Sequence, residues 1–173
     1  MNIAKEGKAI EEALDNYRAQ LDVIPDEKFN ETPPGGGWSY AEVYSHIMQA
    51  TIGSCVALER CVNNNCPATK KGINVFGRLV MLMGRFPLRI KVPEKVAAKM
   101  PVTQLSKEDA RNLIIKCRKR VGEVMPMVKD HSPESKHKHP RLGMLHAGQW
   151  LKFIRIHLEH HIKQLGRIDK KFQ

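Results

Sequence analysis

The chain has 173 residues, of which 29 are lysine or arginine and 18 are aspartate or glutamate, so its formal net charge is +11. That length suits one domain with a sizeable core, and we expect residues 1–173 to form a single domain. The longest apolar run, residues 79–83, is far shorter than the roughly 20 residues of a membrane span, and no signal peptide is visible. The composition therefore predicts a cytoplasmic protein with some affinity for anions.

The four cysteines form no C-x-x-C pair. In a reducing compartment they are free thiols by default. Three of them fall on predicted helices, where they are expected to behave as small hydrophobic residues: Cys55, Cys61 and Cys117.

Apolar residues at three- and four-residue spacing predict four long helices. The first covers residues 4–23. The second begins after Ser39, which with Glu42 forms a capping-box pattern, and it continues to about Cys61. The third starts at Ser106, again with an acid three residues later, and is expected to bury apolar residues as far as Val128. The fourth covers residues 146–168.

One long connection, residues 72–101, separates the second helix from the third and is expected to contain a short helix near residues 76–85. No segment alternates polar and apolar residues for long enough to build a sheet. The histidine-rich run 136–139 lies beside prolines and is expected to be a polar loop. These elements predict an all-α fold, a four-helix bundle with a long crossover that contains a short extra helix. Cofactor sites of such bundles are built from side chains on facing helices.

The last predicted helix turns two imidazoles toward its apolar side. Because successive helical residues rotate by about 100°, His157 and His161 fall within the stripe that includes Phe153 and Leu165. His160 lies on the border of that stripe. Two histidines four residues apart are spaced to share a metal ion, so the pair predicts a metal site that needs a third ligand.

The second predicted helix offers that ligand in His46, which also points toward the interior. Nearby small residues, Ala50, Gly53 and Ala57, leave room for a cavity, although they equally permit close contact between helices. A lone histidine on an apolar face is usually a core residue, and it is the inward pair on the last helix that favours ligation here. Three neutral imidazoles leave a metal position open, as in catalytic zinc sites, and they also suit nickel, copper or iron.

Two further side chains are candidate catalytic residues. Glu42 lies one turn before His46 and could act as a base, although the capping box already accounts for it. Gln164 points in nearly the direction of His157 and could hold the second nitrogen of a ligand or a bound water. The zincin motif is absent, since Leu158 stands where that motif has glutamate.

Three stretches resemble the DinB-like (YfiT-like) superfamily of metal-dependent enzymes. They are Trp-Ser-Tyr-Ala-Glu-Val-Tyr-Ser-His at 38–46, His-Pro-Arg-Leu-Gly at 139–143 followed by Gln-Trp at 149–150, and His-x-x-His-His-x-x-Gln-Leu at 157–165. Their order and spacing make the resemblance fairly specific, and the four-helix pattern extends it over the whole chain.

The resemblance implies an antiparallel bundle, often dimeric, in which one histidine of the second helix and an H-x-x-x-H pair of the last helix bind nickel or zinc. Carried over to this sequence, these ligands are His46, His157 and His161, with His160 as the alternative. His146 departs from the family pattern, because a serine or threonine usually caps the last helix. It either caps that helix or adds chemistry.

The superfamily that the sequence resembles includes transferases that attach low-molecular-weight thiols to electrophiles, as well as isomerases and hydrolases. We therefore expect a thiol S-transferase or hydrolase, with a small-molecule electrophile and an anionic thiol as partners. The metal would lower the pKa of a thiol or water. One alternative is a non-catalytic or stress-related module that holds metal structurally or holds none. Nucleic-acid binding is more remote, since no helix-turn-helix, zinc-finger or OB pattern accompanies the basic charge.

The second predicted helix is apolar nearly all round. Opposite His46 it carries Tyr44, Met48, Ile52 and Cys55. A helix on the rim of a monomeric bundle is not expected to show this pattern. We therefore predict a homodimer in which a second copy covers that face, with cover by residues 76–86 of the same chain as the alternative.

Overall fold

The computed structural model describes residues 2–67, 69–87 and 103–173. This part of the chain contains six α-helices: α1 (Ile3–Val23), α2 (Asp26–Phe29), α3 (Tyr40–Val62), α4 (Val75–Met83), α5 (Lys107–Val124) and α6 (Ala147–Phe172). Between α5 and α6 lie a 3₁₀ helix (Pro126–Asp130) and two strands, β1 (Lys136–His139) and β2 (Gly143–His146). The predicted all-α class and four-helix bundle are confirmed. None of the helices in these described ranges is both long and apolar enough to cross a membrane.

Two capping boxes set where α3 and α5 begin, as the sequence predicts. At α3, Ser39 N donates to Glu42 Oε2 (2.8 Å), and Glu42 N donates back to Ser39 Oγ (3.2 Å). At α5, the same exchange joins Ser106 and Asp109 at 3.3 and 3.0 Å. Each box satisfies backbone N–H groups that the first helical turn leaves without partners.

The other helix ends differ from the predicted ones by a few residues. Helix α5 ends at Val124, and Pro126 opens the 3₁₀ helix, which still buries Val128. Helix α6 continues to Phe172, four residues beyond the predicted end. Helix α4 ends at Met83, and its C-cap Gly84 has a φ of +63°, a conformation that favours glycine. Residues 88–101 of the predicted crossover lie outside the described residues.

The prediction of a polar loop at residues 136–139 is wrong, because this run forms strand β1. It pairs antiparallel with β2, with Lys136 opposite His146 and His139 opposite Gly143. Each strand has four residues, and of these only Leu145 is buried. So short a hairpin, with one buried side chain, carries no recognisable two-residue periodicity.

The hairpin packs directly on the segment that leads into α4. Gly143 adopts a φ of +93°, and a Cβ atom there would lie 2.8 Å from Asn74 N and from Gly72 O. Asn74 N donates to Leu142 O (2.9 Å), and Met144 N donates to Gly72 O (3.1 Å). A side chain at position 143 would therefore push the hairpin away from the segment on which it rests.

In the bundle, α1 and α3 lie diagonally opposite each other, and each packs against both α5 and α6. Two tyrosines join three of these helices in the interior. Tyr44 Oη donates to Tyr17 O (2.7 Å), and Tyr17 Oη donates to Leu158 O (2.8 Å). Both rings are fully buried, so the Tyr44 face of the second long helix belongs to the core of a single chain.

This position changes the argument for a homodimer. Tyr44, Met48 and Cys55 are fully buried within a single chain. Helix α5 covers this face, and Cys117 Sγ on α5 donates to Met48 O (3.2 Å). Contacts with α5 and α6 thus account for the burial of Tyr44, Met48 and Cys55, whereas Ile52, the fourth residue of the predicted face, is only half-buried in a single chain. A homodimer stays a prediction that the resemblance implies.

Candidate metal centre

Helices α3 and α6 bring three histidine rings together. One ring nitrogen from each of His46, His157 and His161 lies within 4.8 Å of the other two. The two nitrogens on α6 are closer still, with 3.0 Å between His157 Nε2 and His161 Nε2. The rings of His46 and His161 have centroids 4.8 Å apart. These are the three inward-pointing histidines of the sequence prediction, and their assignment as metal ligands stays a prediction.

Burial keeps all three rings neutral. Together with the positive charge that His160 would carry, it lowers the pKa of His46 to about 4. It also lowers the pKa values of His157 and His161 well below their usual range, with neighbouring histidines adding to the effect. A neutral imidazole offers a nitrogen lone pair, which is the form that binds a metal.

Gln164 sets the tautomer of His161. The oxygen Oε1 of Gln164 can only accept, so His161 Nδ1 carries a proton and donates it over 2.8 Å. The lone pair of His161 is therefore on Nε2, the atom that faces His157. This contact has the form expected when a polar side chain orients a metal-binding histidine. The three imidazoles and the tautomer of His161 thus fit a divalent metal ion.

Aromatic rings surround the histidine cluster. Trp38 packs against His46 and lies parallel to His161, with centroid separations of 5.0 and 6.4 Å. Phe153 stacks on His157 at 5.0 Å, and Phe86 approaches the same ring edge-on at 6.2 Å. These side chains restrict the rotation of the imidazoles and limit the access of water to them.

Three other predicted residues lie around rather than within the cluster. His160 contacts His161 and Phe86 edge-on, and its nitrogens are not part of the group of three. Glu42 is engaged in the capping box of α3. His146 is the N-cap of α6: its backbone N–H donates to Gln149 Oε1, and its ring stacks on His131.

The histidines line a cavity of about 650 Å³. As predicted, Ala50, Gly53 and Ala57 of α3 contribute to its wall, so their small side chains create space rather than close helix contact. On the opposite side it is bounded by α6 and by the β1–β2 hairpin. Gln164 lines it as well, whereas neither Glu42 nor His146 does.

The sequence matches the family model of the DinB superfamily over residues 9–165. The chain belongs to the DinB superfamily. No curated protein matches it by sequence.

Solved structures related to this DinB chain share its fold. The four-helix bundle protein TT2238 has a TM-score of 0.62 and 18% identity, over 96% of this chain and 99% of that one. YfiT from Bacillus subtilis, a probable metal-dependent hydrolase with an unusual four-helix bundle topology, has a TM-score of 0.66 and 14% identity, over 97% and 86%. A mycothiol-dependent maleylpyruvate isomerase has a TM-score of 0.63 and 14% identity, over 96% of this chain and 61% of that one. At these identities the likeness shows the fold alone.

Sequence reasoning missed one group of residues in this DinB site. The hairpin and the start of α6 place His137, Arg141 and Trp150 in the cavity wall. The signal available was the Pro140–Gly143 turn flanked by two short segments, which is typical of a hairpin connection. Without that hairpin, nothing in the sequence brings residue 137 or 141 toward the histidines.

Proposed function

We propose that this protein is a metal-dependent enzyme, a thiol S-transferase or hydrolase that acts on a small electrophile. The observation that supports this most is the convergence of three neutral imidazole nitrogens in a cavity of about 650 Å³. A cavity of that size suits a small molecule, since ligand pockets measure about 300–1,000 Å³. A purely structural metal site would not need such a space beside it.

In this proposal His46, His157 and His161 hold a divalent nickel or zinc ion, both of which imidazole ligands suit. When bound by three imidazoles, such an ion keeps a position open and lowers the pKa of a thiol or water. Gln164 orients His161 through the 2.8 Å hydrogen bond to Nδ1. Trp38 and Phe153 hold the imidazoles in place and keep bulk water away.

The cavity wall favours a thiol with negative charge over a neutral one. Lys138 and Arg141 line it, and no aspartate or glutamate of the described residues does. An anionic low-molecular-weight thiol and a small electrophile are therefore the partners we propose. The mycothiol-dependent isomerase with the same fold agrees with a thiol partner, and the probable hydrolase YfiT keeps water as the alternative nucleophile.

Among the candidate catalytic residues, Gln164 is the better placed, because it lines the cavity and contacts His161. Glu42 stays a candidate base whose carboxylate already serves the cap of α3. A homodimeric state and a cytoplasmic location complete the proposal. Both follow from the resemblance and the composition rather than from the site.

The test compares two neighbouring histidines. Wild type, His157→Ala and His160→Ala are purified without an affinity tag, and their metal content is measured after loading with nickel or zinc. Each is then assayed for thiol conjugation to chlorodinitrobenzene and for hydrolysis of a nitrophenyl ester. We expect His157→Ala to lose both metal and activity, while His160→Ala keeps its metal.

Unchanged turnover in His157→Ala would contradict the proposal. If removing the metal unfolds the wild-type protein, the metal is structural, and the non-catalytic module gains support instead. Circular dichroism of the metal-free protein distinguishes these outcomes, because an enzyme of this kind should keep its helicity without metal.

A further inference from the structure

Three buried hydrogen-bonding atoms in the cavity wall have no partner among the described residues. They are Arg141 Nη1, Trp150 Nε1 and His137 Nδ1. All three residues line the cavity that contains the histidine cluster. Trp150 is only 4% exposed, so its indole nitrogen cannot turn to bulk solvent. Buried polar atoms without partners are rare and call for an explanation.

All three of these atoms are donors. The arginine and indole nitrogens can only donate. His137 Nε2 lies 3.5 Å from Arg60 Nη1, and because a guanidinium cannot accept, Nε2 is the accepting nitrogen of that ring. In the neutral ring the proton is then on Nδ1. Three N–H groups of residues in the cavity wall therefore lack an acceptor among the described residues. The rings of two of these residues, His137 and Trp150, have centroids 6.2 Å apart.

The positive charges in the cavity wall also favour an anionic ligand. Within the described ranges Arg141 forms no ion pair, and its guanidinium lies over the ring of Phe76, 5.9 Å from the centroid. The ring of Phe76 stabilises this charge in part, but no carboxylate of the described residues pairs with it. Lys138 lines the cavity too, without any carboxylate from the described residues. A group that carries several acceptor oxygens and a negative charge would satisfy the three donors and neutralise the charge of Arg141.

The separation between Trp150 and the histidine cluster indicates the length that a ligand must span. Trp150 precedes His157 by seven residues on α6, which corresponds to about 10 Å along the helix axis. Between them Phe153 contacts both rings, with centroid separations of 5.8 and 5.0 Å. An apolar wall thus connects the hairpin end of the cavity with the histidines.

We propose that the hairpin end of the cavity is an oxyanion subsite that binds a carboxylate or phosphate through Arg141, Trp150 and His137. This subsite also indicates the substrate class, an inference that rests on the proposed function. The thiol or electrophile is an elongated molecule whose anionic group lies about 10 Å from the reacting atom.

The first experiment observes the indole N–H directly in the full-length, metal-free protein. The chain has two tryptophans, so a ¹H–¹⁵N spectrum shows two indole signals, which Trp38→Phe and Trp150→Phe assign. Succinate and inorganic phosphate are titrated at constant ionic strength, with neutral succinamide as the control. We expect a saturable shift of the Trp150 signal with one or both anions and none with succinamide. A shift with succinate alone identifies a carboxylate site, and one with phosphate alone identifies a phosphate site. No saturable shift with either anion would overturn the proposal.

A matched pair of variants tests the role of the guanidinium. Arg141→Gln removes the cavity arginine, and Arg78→Gln removes an exposed arginine on α4. We expect affinity for the anion to fall at least about tenfold in Arg141→Gln, the size of loss that follows removal of one charged hydrogen bond. Arg78→Gln should bind as wild type does. Equal affinity in wild type and Arg141→Gln would overturn the assignment. Circular dichroism confirms that both variants are folded.

His157→Ala separates this subsite from the metal site. We expect it to bind succinate or phosphate as wild type does, because the three donors do not involve the histidine cluster. If anion binding disappears with His157, the anion binds at the cluster and the subsite is wrong. If His157→Ala binds the anion but the proposed enzyme activity is never found, the subsite stands and the proposed function fails.

Discussion

The interior of this bundle has two halves, which differ in whether buried polar groups find hydrogen-bond partners within the protein. In the closed half, around Tyr17 and Tyr44, both tyrosine hydroxyls donate to backbone oxygens within the protein. In the open half, the histidine cluster and the hairpin surround a cavity, and buried donors such as Trp150 Nε1 lack partners. The closed half shows what a satisfied core of this chain looks like. Of the buried side-chain atoms without a partner among the described residues, three belong to residues that line the cavity, whereas Thr51 Oγ1 and Ser135 Oγ lie outside it. Such atoms are therefore concentrated at the site without being confined to it.

The same two helices build both halves. Helix α3 turns Tyr44 and Met48 toward the closed half and His46 toward the cavity. On α6, the neighbours His157 and Leu158 differ by about 100° in direction: His157 lines the cavity, and Leu158 is fully buried outside its wall. Adjacent positions on α6 thus contribute to different halves. A substitution at one position should change stability, and a substitution at its neighbour should change metal binding.

The largest expected effect comes from that pair. Leu158→Ala should lower the free energy of unfolding by about 2–5 kcal/mol, since it removes a buried side chain from a closely packed region. His157→Ala borders a cavity and should change it by less than about 1 kcal/mol in the metal-free protein. Urea denaturation of metal-free wild type and both variants measures the difference. Comparable losses in the two variants would show that the open half is as tightly packed as the closed one.

A second effect concerns the orientation of the histidines. Gln164→Leu removes the acceptor of His161 Nδ1–H and should weaken metal affinity by about 10- to 100-fold, as is typical for loss of such a partner. Its helical content should not change. Gln20→Leu on α1, remote from the cavity, serves as the control. Competition with a chromophoric chelator measures the affinity, and equal values for Gln164→Leu and wild type would remove the positioning role of this glutamine.

The two halves also differ in how far sequence alone could predict them. The closed half and the three histidines follow from helical periodicity, because residues 3, 4 and 7 apart share a face whatever the tertiary structure. The capping boxes at Ser39 and Ser106 are equally local. The role of α5 in covering Met48 could not be predicted, since periodicity shows that a face is buried without showing by which helix.

The hairpin end of the cavity was beyond prediction for a different reason. Arg141 and His137 line the cavity only because β1 packs on α3, β2 packs on α6, and the hairpin rests on the segment before α4. Two strands of four residues with one buried side chain give no periodic signal. What they contribute to the site depends on contacts between segments about 70 residues apart, such as Asn74 with Leu142.

The open half should dominate the response of stability to acid. Burial, together with the charge of Arg141, lowers the pKa of His139 to about 4, while in the unfolded chain it is near 6.5. The unfolded state thus binds more protons between these values. The contribution of His139 to the free energy of unfolding is therefore fully present above about pH 6.5, and it is lost as the pH falls through about 4.

His139→Asn should reduce this acid loss by about 1–2 kcal/mol, a value discounted for partial exposure of the ring. Asparagine keeps an oxygen that can accept from Arg141 N and Leu142 N, as His139 Nδ1 does at 3.1 and 3.2 Å. Denaturant unfolding of the metal-free protein from pH 7 to 4 measures the effect. In contrast, burial raises the pKa of Tyr44, so Tyr44→Phe should leave the slope below pH 7 unchanged. A similar reduction in both variants would contradict the separation of the two halves.

The smallest expected effect concerns thiol reactivity. It tests whether a reagent can reach the closed half in the folded protein. Cys66 is half-buried, whereas Cys55 and Cys117 are buried in the core. Burial raises the pKa of Cys55 to about 12 and raises that of Cys117 as well, and it is the thiolate that reacts. A maleimide reagent should therefore add one label quickly to the native protein, at Cys66, and none quickly to Cys66→Ser. Labels at Cys55 and Cys117 should follow only as the protein unfolds, and faster in Leu158→Ala, as mass spectrometry of the labelled peptides can show. Rapid labelling of Cys117 in the native wild type would mean that the closed half opens locally, and the contrast with the cavity would then be one of degree.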